Sequence, residues 1–132
     1  MNSIEVKTRE RCQMVNITSQ VRDAVKDSGV TEGMCLVYCP HTTGGITINE
    51  NADPDVVRDL LMALNRVAPS DWPYQHSEGN SDAHLKSSLV GCSEQVLINN
   101  GDLVLGTWQS VYFCEFDGPR SRTVHIGIIP ER

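Results

Sequence analysis

One segment of the chain carries a clear helix signal, while most other apolar segments alternate with polar residues. Asp53 precedes Pro54, and a single apolar stripe follows before Pro69, formed by Val57, Leu60, Leu61, Leu64 and Val67. Aspartate before proline is a common helix start, and spacings of three and four residues place the stripe on one face. We therefore expect a helix between Asp53 and Pro69 that covers one face of a sheet.

Short apolar runs elsewhere predict strands, because their spacing is alternating or continuous over only a few residues. They lie at residues 4–6, 12–14, 34–39, 46–51, 95–98, 103–105, 108–116 and 123–129. The first two are expected to form an opening hairpin, and the last four a meander whose first turn contains Asn100-Gly101, a strong hairpin signal.

Two further helices are indicated. The first spans 19–28, with Thr18 as its N-cap and Gly29 at its end. The second is short, begins at Asn80 or Ser81 and runs to Gly91. Strands, a helix, more strands and then helices in this order indicate an α+β fold with a large antiparallel component.

The composition narrows the functional classes. A length of 132 residues suits a single domain, 1–132, and the net charge is -6 with 11 scattered Lys and Arg residues. Nucleic acid and anionic membranes are therefore poor candidate partners. No apolar run is long enough to span a bilayer and the N-terminus lacks the features of a targeting signal, so a cytoplasmic location is expected.

The five cysteines are expected to be reduced thiols, because their number is odd and no export signal is seen. Cys35 and Cys39 fall on one face of the strand at 34–39, and Cys39 is two residues from His41. A cysteine metal ligand is therefore an alternative. A plain core role is favoured, because cysteines in apolar strands are usually buried.

Residues 76–84 concentrate side chains that can bind metals or transfer protons. His76, Glu78, Asn80, Asp82 and His84 surround the flexible Gly79. A third histidine, His41, lies in the polar bend 40–45. Three imidazoles with an open fourth position are a common catalytic zinc arrangement.

Capping and loop polarity explain part of this cluster equally well, so spacing alone leaves the metal hypothesis open. If it holds, Glu50, Glu78 and Asp82 are candidate general bases or partners of the imidazoles. The remaining histidine, His125, lies in a terminal strand and is expected to point away from the core.

A second polar group could bind an anion. Thr42 and Thr43 offer hydroxyls and backbone amides beside Gly44, and Arg120 and Arg122 offer forked donors. An ordinary hairpin turn is an equal alternative for residues 117–120. On the preceding strand, Gln109 and Glu115 share a face with Asp117, and that face is expected to line a pocket.

Several segments together resemble the YjbQ family, also called the secondary thiamine-phosphate synthase family. They are Pro40-His41-Thr42-Thr43, Asn49-Glu50-Asn51 with Asp53-Pro54, His76 to Leu85, Gly106-Thr107-Trp108-Gln109, and Asp117-Gly118-Pro119-Arg120 with Arg122. The motifs occur in matching order over nearly the whole chain. One departure is Ser110, where a glycine is expected.

The resemblance implies a compact α+β sandwich that assembles as a homotrimer around a histidine-lined, metal-binding pocket. Imidazole suits several divalent metals, and zinc is the expected ion. The candidate roles are catalysis for Glu50, Glu78, Asp82 and Gln109, substrate binding for Thr42, Thr43, Asn51, Asn80, Arg120 and Arg122, and metal binding for His41, His76 and His84.

The implied reaction is a weak thiamine-phosphate synthase activity, which joins hydroxymethylpyrimidine diphosphate to thiazole phosphate and releases pyrophosphate. The expected partner is a small phosphorylated metabolite. Two alternatives stay open: a metal-dependent hydrolase of a small metabolite, and a non-catalytic trimeric protein that only binds its ligand.

Overall fold

A computed structural model describes residues 1–132 and contains two antiparallel sheets and three helices. The elements are β1 Asn2–Lys7, β2 Gln13–Asn16, α1 Thr18–Ser28, β3 Gly33–Tyr38, β4 Gly44–Glu50, α2 Pro54–Val67, α3 Ser81–Val90, β5 Ser93–Asn99, β6 Asp102–Leu103, β7 Gln109–Glu115 and β8 Ser121–Pro130. The larger sheet has the strand order β1-β8-β3-β5-β6 and the smaller one the order β2-β7-β4.

The main hydrophobic core involves both sheets and helix α1, and a second cluster lies on the other face of β7. Val111 and Phe113 of β7 belong to the main core, whereas Tyr112 and Cys114 pack with Ala83 of α3. The apolar stripe of α2 packs against this second cluster through Val57, Leu61 and Leu64. Helices α2 and α3 therefore cover the smaller sheet, and the predicted α+β class with a sandwich-like core is confirmed.

The predicted helix boundaries agree closely with the structure, with one correction. The Asp53 side chain accepts a hydrogen bond from the Asp55 amide at 2.9 Å, and Pro54 opens α2. Gly29 ends α1 with a φ of 71°. Thr18, the predicted N-cap of α1, lies inside the helix, and its amide donates instead to the Asn16 side chain at 3.0 Å.

None of the three helices combines the length and the apolar character needed to cross a bilayer.

Three predicted strand pairings are wrong, β1–β2, β6–β7 and β7–β8. The opening segments do not form a hairpin, because β1 pairs with β8 in the larger sheet and β2 with β7 in the smaller one. The meander ends after β6, since β7 and β8 lie in different sheets. Only the β5–β6 hairpin is confirmed, with positive φ angles at Asn100 (53°) and Gly101 (76°) in its turn.

The connections β1–β2 and β7–β8 both pass from one sheet to the other, and they run side by side. The Thr8 amide donates to the Arg120 carbonyl at 2.9 Å, and the Gly118 amide to the Arg11 carbonyl at 3.0 Å. Residues 117–120 are therefore a crossing between sheets and not a hairpin turn. This crossing forms one wall of the candidate site.

Candidate functional site

A cavity of about 430 Å³ lies where the bend after β3, the loop before α3 and the β7–β8 connection meet. Every lining residue except Pro40 carries a polar or charged side chain. The lining consists of Pro40, His41, Thr42, Thr43, His76, Glu78, Asn80, His84, Asp117, Arg120 and Arg122. The structure thus brings the two polar clusters of the sequence together.

His76 and His84 meet edge to face in this cavity. Their ring centroids are 5.3 Å apart with an interplanar angle of 85°. Gly79 has a φ of 76°, which reverses the chain between them. His76 is exposed in the loop, whereas His84 is half-buried on α3.

His41 is half-buried, and its ring hydrogen-bonds to the backbone of β8. Its Nε2 lies 2.9 Å from the Thr123 amide nitrogen and 3.1 Å from the Thr123 carbonyl oxygen. A neutral ring with its proton on Nδ1 accepts from the amide, and a ring protonated on Nε2 donates to the carbonyl. Burial, together with the nearby Arg122 charge, lowers the pKa of His41 and favours the neutral ring.

The donor types of this cavity suit zinc, but their present spacing does not form a site. Nowhere in residues 1–132 do three or more His, Cys, Asp or Glu side chains converge closely enough to hold an ion. A metal would require a third ligand to approach the His76–His84 pair. If Thr123 O accepted from Nε2 of His41, Nδ1 would be free to ligate, which is the usual orientation of a metal-binding imidazole.

The cysteine alternative finds little support. Cys35 and Cys39 are buried, and neither lines the cavity. Burial raises the pKa of Cys35 to about 11, which favours the neutral thiol over the thiolate that binds metals. All five cysteines are free of disulfide bonds.

A buried ion pair supports the cavity wall. Arg122 and Glu115 are 3% and 0% exposed, and Arg122 binds the carboxylate through both Nε and Nη2. Glu115 also accepts from the Thr8 hydroxyl at 2.8 Å and from the Asp117 amide at 3.0 Å. Burial alone would raise the pKa of Glu115, but these hydrogen bonds outweigh it and the pKa is lowered.

The sequence predicted that Glu115 lies on the face lining the pocket, whereas the structure places its carboxylate beneath the cavity wall. The contact from Thr8 was not predicted.

Both arginines of the cavity are paired within the chain, because Arg122 binds Glu115 and Arg120 contacts Asp117 at 3.2 Å. The Thr43 hydroxyl accepts from Arg122 at 2.9 Å, which leaves its own hydrogen free for an anion.

Asp82, a predicted catalytic residue, does not line the cavity. It is fully buried and accepts hydrogen bonds from Arg11 at 2.9 and 3.1 Å and from Lys86 at 3.2 Å. Burial alone would raise its pKa, but the two cations lower it to about 2. Lys86 in turn donates to Asn65 of α2 at 2.6 Å, so Asp82 acts in the packing of α3.

Glu50, Asn51 and Gln109 also lie outside the cavity. Glu50 pairs with Gln109 at one end of the β4–β7 ladder, whereas Gly44 pairs with Glu115 at the cavity end. The six residue steps from Gly44 to Glu50 span about 20 Å. Within one copy of the chain, these three predicted site residues are therefore remote from the histidines.

His125 and Ser110 both lie outside the cavity. His125 lies beside the Ser3 hydroxyl at 2.8 Å and stacks on Tyr38. Ser110, the departure from the family pattern, is buried in β7 opposite Asn49 and leaves the strand regular.

Fold and cavity together define a class: small α+β proteins with two antiparallel sheets and a histidine- and arginine-lined polar cavity where the sheets are connected. This chain belongs to the YjbQ family, since the family described as UPF0047 protein YjbQ-like matches residues 2–131.

Relatives from distant organisms share most of the chain. UPF0047 protein YugU of Bacillus subtilis is 52% identical over 129 residues, covering 96% of each chain. A UPF0047 protein of Methanocaldococcus jannaschii is 49% identical, covering 97% of this chain and 93% of its own.

Solved structures agree with the fold. An uncharacterised conserved protein of the YjbQ/UPF0047 family from Clostridium acetobutylicum is 56% identical with a TM-score of 0.96, covering 98% of this chain and 100% of its own. A hypothetical protein from Aeropyrum pernix is 35% identical with a TM-score of 0.94, covering 98% of both chains.

Proposed function

We propose that this chain is an enzyme that acts on a small phosphorylated metabolite in the histidine- and arginine-lined cavity. We further propose weak thiamine-phosphate synthase activity as its specific reaction. The observation that carries the proposal is the composition of the cavity wall, which combines three imidazoles, two guanidinium groups and two threonines, with Pro40 as its one residue without a polar side chain. Such a wall suits a ligand rich in oxygen atoms.

Phosphate oxygens would be bound by hydrogen bonds more than by excess charge. Arg120 and Arg122 carry full charges, but Asp117 and Glu115 offset them. The free hydrogen of the Thr43 hydroxyl and the exposed Thr42 side chain add neutral donors. A highly charged diphosphate therefore needs one further positive group in the cavity.

That group is proposed to be a divalent metal ion, with zinc as the expected ion. His76 and His84 would hold it together with His41, after a movement that brings the third ring to the pair. When bound, the ion would supply a Lewis acid that offsets charge on phosphate oxygens.

The chain's own residues would act on the leaving group. In the synthase reaction the bond from the hydroxymethyl carbon to the diphosphate oxygen breaks and a bond from that carbon to the thiazole nitrogen forms. Arg120, Thr42 and Thr43 would stabilise the charge that develops on the departing pyrophosphate. The wall offers little apolar surface to orient the two aromatic rings, which is consistent with a weak activity.

The small amount of apolar surface also favours one alternative, a metal-dependent hydrolase of a small metabolite. Such an enzyme needs only one substrate and a general base, and exposed Glu78 lies on the wall that also contains His76 and His84. A second alternative is a non-catalytic protein that binds the metabolite without turnover.

The test combines metal analysis with assays on purified protein. We expect about one zinc ion per chain, lost in His76→Ala and His84→Ala and retained in His125→Ala, which removes a histidine outside the cavity. Thiamine phosphate should form from the two precursors with the parent and the His125→Ala protein, and not with the other two variants.

Other outcomes would support a different function. Hydrolysis of a phosphorylated precursor without the second substrate would favour the hydrolase. Binding without turnover would favour the ligand-binding protein. A parent that takes up no metal even when zinc is supplied would remove the metal from the proposal, and the histidines would then be proton-transfer or phosphate-binding groups.

We also propose that the protein is a cytoplasmic homotrimer. The outer face of the larger sheet supports assembly, because Met34 of β3 pairs with Leu97 on one side and Ile129 on the other. These neighbours form an apolar row across three strands, and Leu97 and Ile129 are 62% and 60% exposed. Apolar rows of this kind are commonly covered by a neighbouring subunit.

A further inference from the structure

A single buried side-chain polar atom of the chain has no hydrogen-bond partner: Oδ1 of Asn80. Asn80 lies on the cavity wall. Buried acceptors are nearly always paired, because an unpaired one loses its water without gaining a partner. The atom therefore indicates a place where a donor is missing.

The orientation of the Asn80 amide is fixed by its neighbour. Its Nδ2 donates to Asp117 Oδ2 at 2.8 Å, and the same oxygen accepts from Arg120 Nη2 at 3.2 Å. A flipped amide would place its oxygen against the ionised carboxylate, so that two acceptors would face each other. Asn80 Oδ1 consequently stays an acceptor without a partner.

Asn80 is the N-cap residue of α3, a position where an asparagine side chain usually accepts a hydrogen bond from a helix amide. Its side chain makes no such capping hydrogen bond. Only its backbone carbonyl serves the helix, accepting from the amides of Ala83 at 3.0 Å and His84 at 3.3 Å. The Asn80 side chain is thus held away from the helix by Asp117, although a capping hydrogen bond would stabilise the helix.

We propose that Asn80 Oδ1 accepts a hydrogen bond from an N–H or O–H group on the ligand. The inference rests on the proposed function and narrows its substrate class to phosphate esters whose organic part carries a hydroxyl or amino group. Asp117 bridges the Asn80 amide and the Arg120 guanidinium, so one small molecule can reach both the acceptor and the arginine.

The test uses phosphate esters that differ only by a donor. We would titrate labelled protein, followed by NMR, with 2-hydroxyethyl phosphate against ethyl phosphate and with 3-hydroxypropyl phosphate against propyl phosphate. In at least one pair the hydroxylated ester should bind about tenfold more tightly to the parent protein. In Asn80→Ala this ratio should fall to about one, while the exposed and distant Asn99→Ala variant should keep it.

The measured quantity is the ratio of the affinities of two esters for the same protein. Partial unfolding of a variant lowers both affinities by the same factor and leaves this ratio unchanged. Asn80→Gly, which also lacks a side-chain acceptor and suits the N-cap position, serves if Asn80→Ala does not fold. Measurable but equal binding within both pairs would overturn the inference and leave the proposed function standing. A preference that persists without the Asn80 amide would also overturn it, and no binding of any ester would remove both.

Discussion

The Glu115 carboxylate is the ionised group most completely enclosed beneath the cavity. It is 0% exposed and accepts hydrogen bonds from Arg122, Thr8 and the Asp117 amide. Its removal would leave the buried Arg122 without a counter-charge. One carboxylate therefore links β8, the β1–β2 connection and the β7–β8 connection beneath the cavity.

We predict that Glu115→Leu lowers the free energy of unfolding by about 3 to 5 kcal/mol, because the remaining buried charge is costly. Urea denaturation followed by circular dichroism measures this. The double variant Glu115→Leu with Arg122→Met should lose less than the single variant, since it contains no unpaired charge. The surface variant Glu5→Gln should change little, and a similarly small loss for Glu115→Leu would contradict the prediction.

The buried Asp82 predicts how stability depends on pH. Its folded pKa of about 2 lies below the value of about 3.9 for an unfolded aspartate. The stabilisation is therefore complete above pH 4 and disappears as the pH falls towards 2. We expect about 2 kcal/mol from this group.

Unfolding in urea between pH 6 and pH 2 checks the prediction by comparing the parent with Asp82→Asn. The parent should lose about 2 kcal/mol more than the variant over this range. Asp23→Asn, at an exposed position of α1, should follow the parent. Parallel curves for the parent and Asp82→Asn would show that the Arg11 and Lys86 contacts do not stabilise the ionised carboxylate.

At the residue scale, sequence reasoning identified cavity residues that occur in compact motifs. His76 and His84 could be brought together by Gly79 alone, and the bend containing His41 adds neighbouring side chains to the same wall. Asp82 was expected at the site but lies outside the cavity, because in sequence a carboxylate near a helix start looks the same whether it faces solvent or the buried Lys86. That choice depends on tertiary packing, which local spacing does not contain.

At the scale of elements, α2 depends strongly on local signals. No residue of this helix is fully buried, although its stripe contacts the second cluster. Tertiary burial therefore contributes less to α2 than to a fully packed helix, and its cap should matter more. The Asp53 side chain provides that cap.

We predict that Asp53→Ala costs about 1 kcal/mol of unfolding free energy through the lost capping hydrogen bond. Urea denaturation measures the loss. Asp59→Ala is the matched control, because it removes an exposed carboxylate from the middle of the same helix, and it should change stability by less than about 0.5 kcal/mol. Equal effects of the two substitutions would mean that the hydrogen bond contributes nothing measurable.

Helices and strands were predictable from spacing, whereas strand partners were not. The β5–β6 hairpin was correct because Asn100-Gly101 supplies the backbone angles of a tight turn. The predicted hairpin of the first two strands was wrong, because residues 8–12 between them contain no glycine, proline or asparagine that would indicate a turn. Alternation shows which face of a strand is buried but not which strand lies beside it.

At the scale of the whole molecule, the arrangement of strands separates two parts of the expected site. The bend before β4 lies at the cavity, and the other end of β4 carries Glu50 beside Gln109. If both groups serve one site, they must come from different copies of the chain. The proposed homotrimer is therefore relevant to the site as well as to the apolar outer sheet.

We predict that the protein elutes as a trimer in size-exclusion chromatography with light scattering, and that Met34→Glu converts it to monomers. Met34 is the centre of the row formed with Leu97 and Ile129, so a charge there would be buried unpaired by any subunit that covers the row. Met62→Glu is the matched control on α2, where this methionine is 59% exposed. A monomeric parent would overturn the trimer. Dissociation by Met62→Glu alone would place the interface on the helical side, which would leave the outer sheet exposed and remove the apolar row as an argument for assembly.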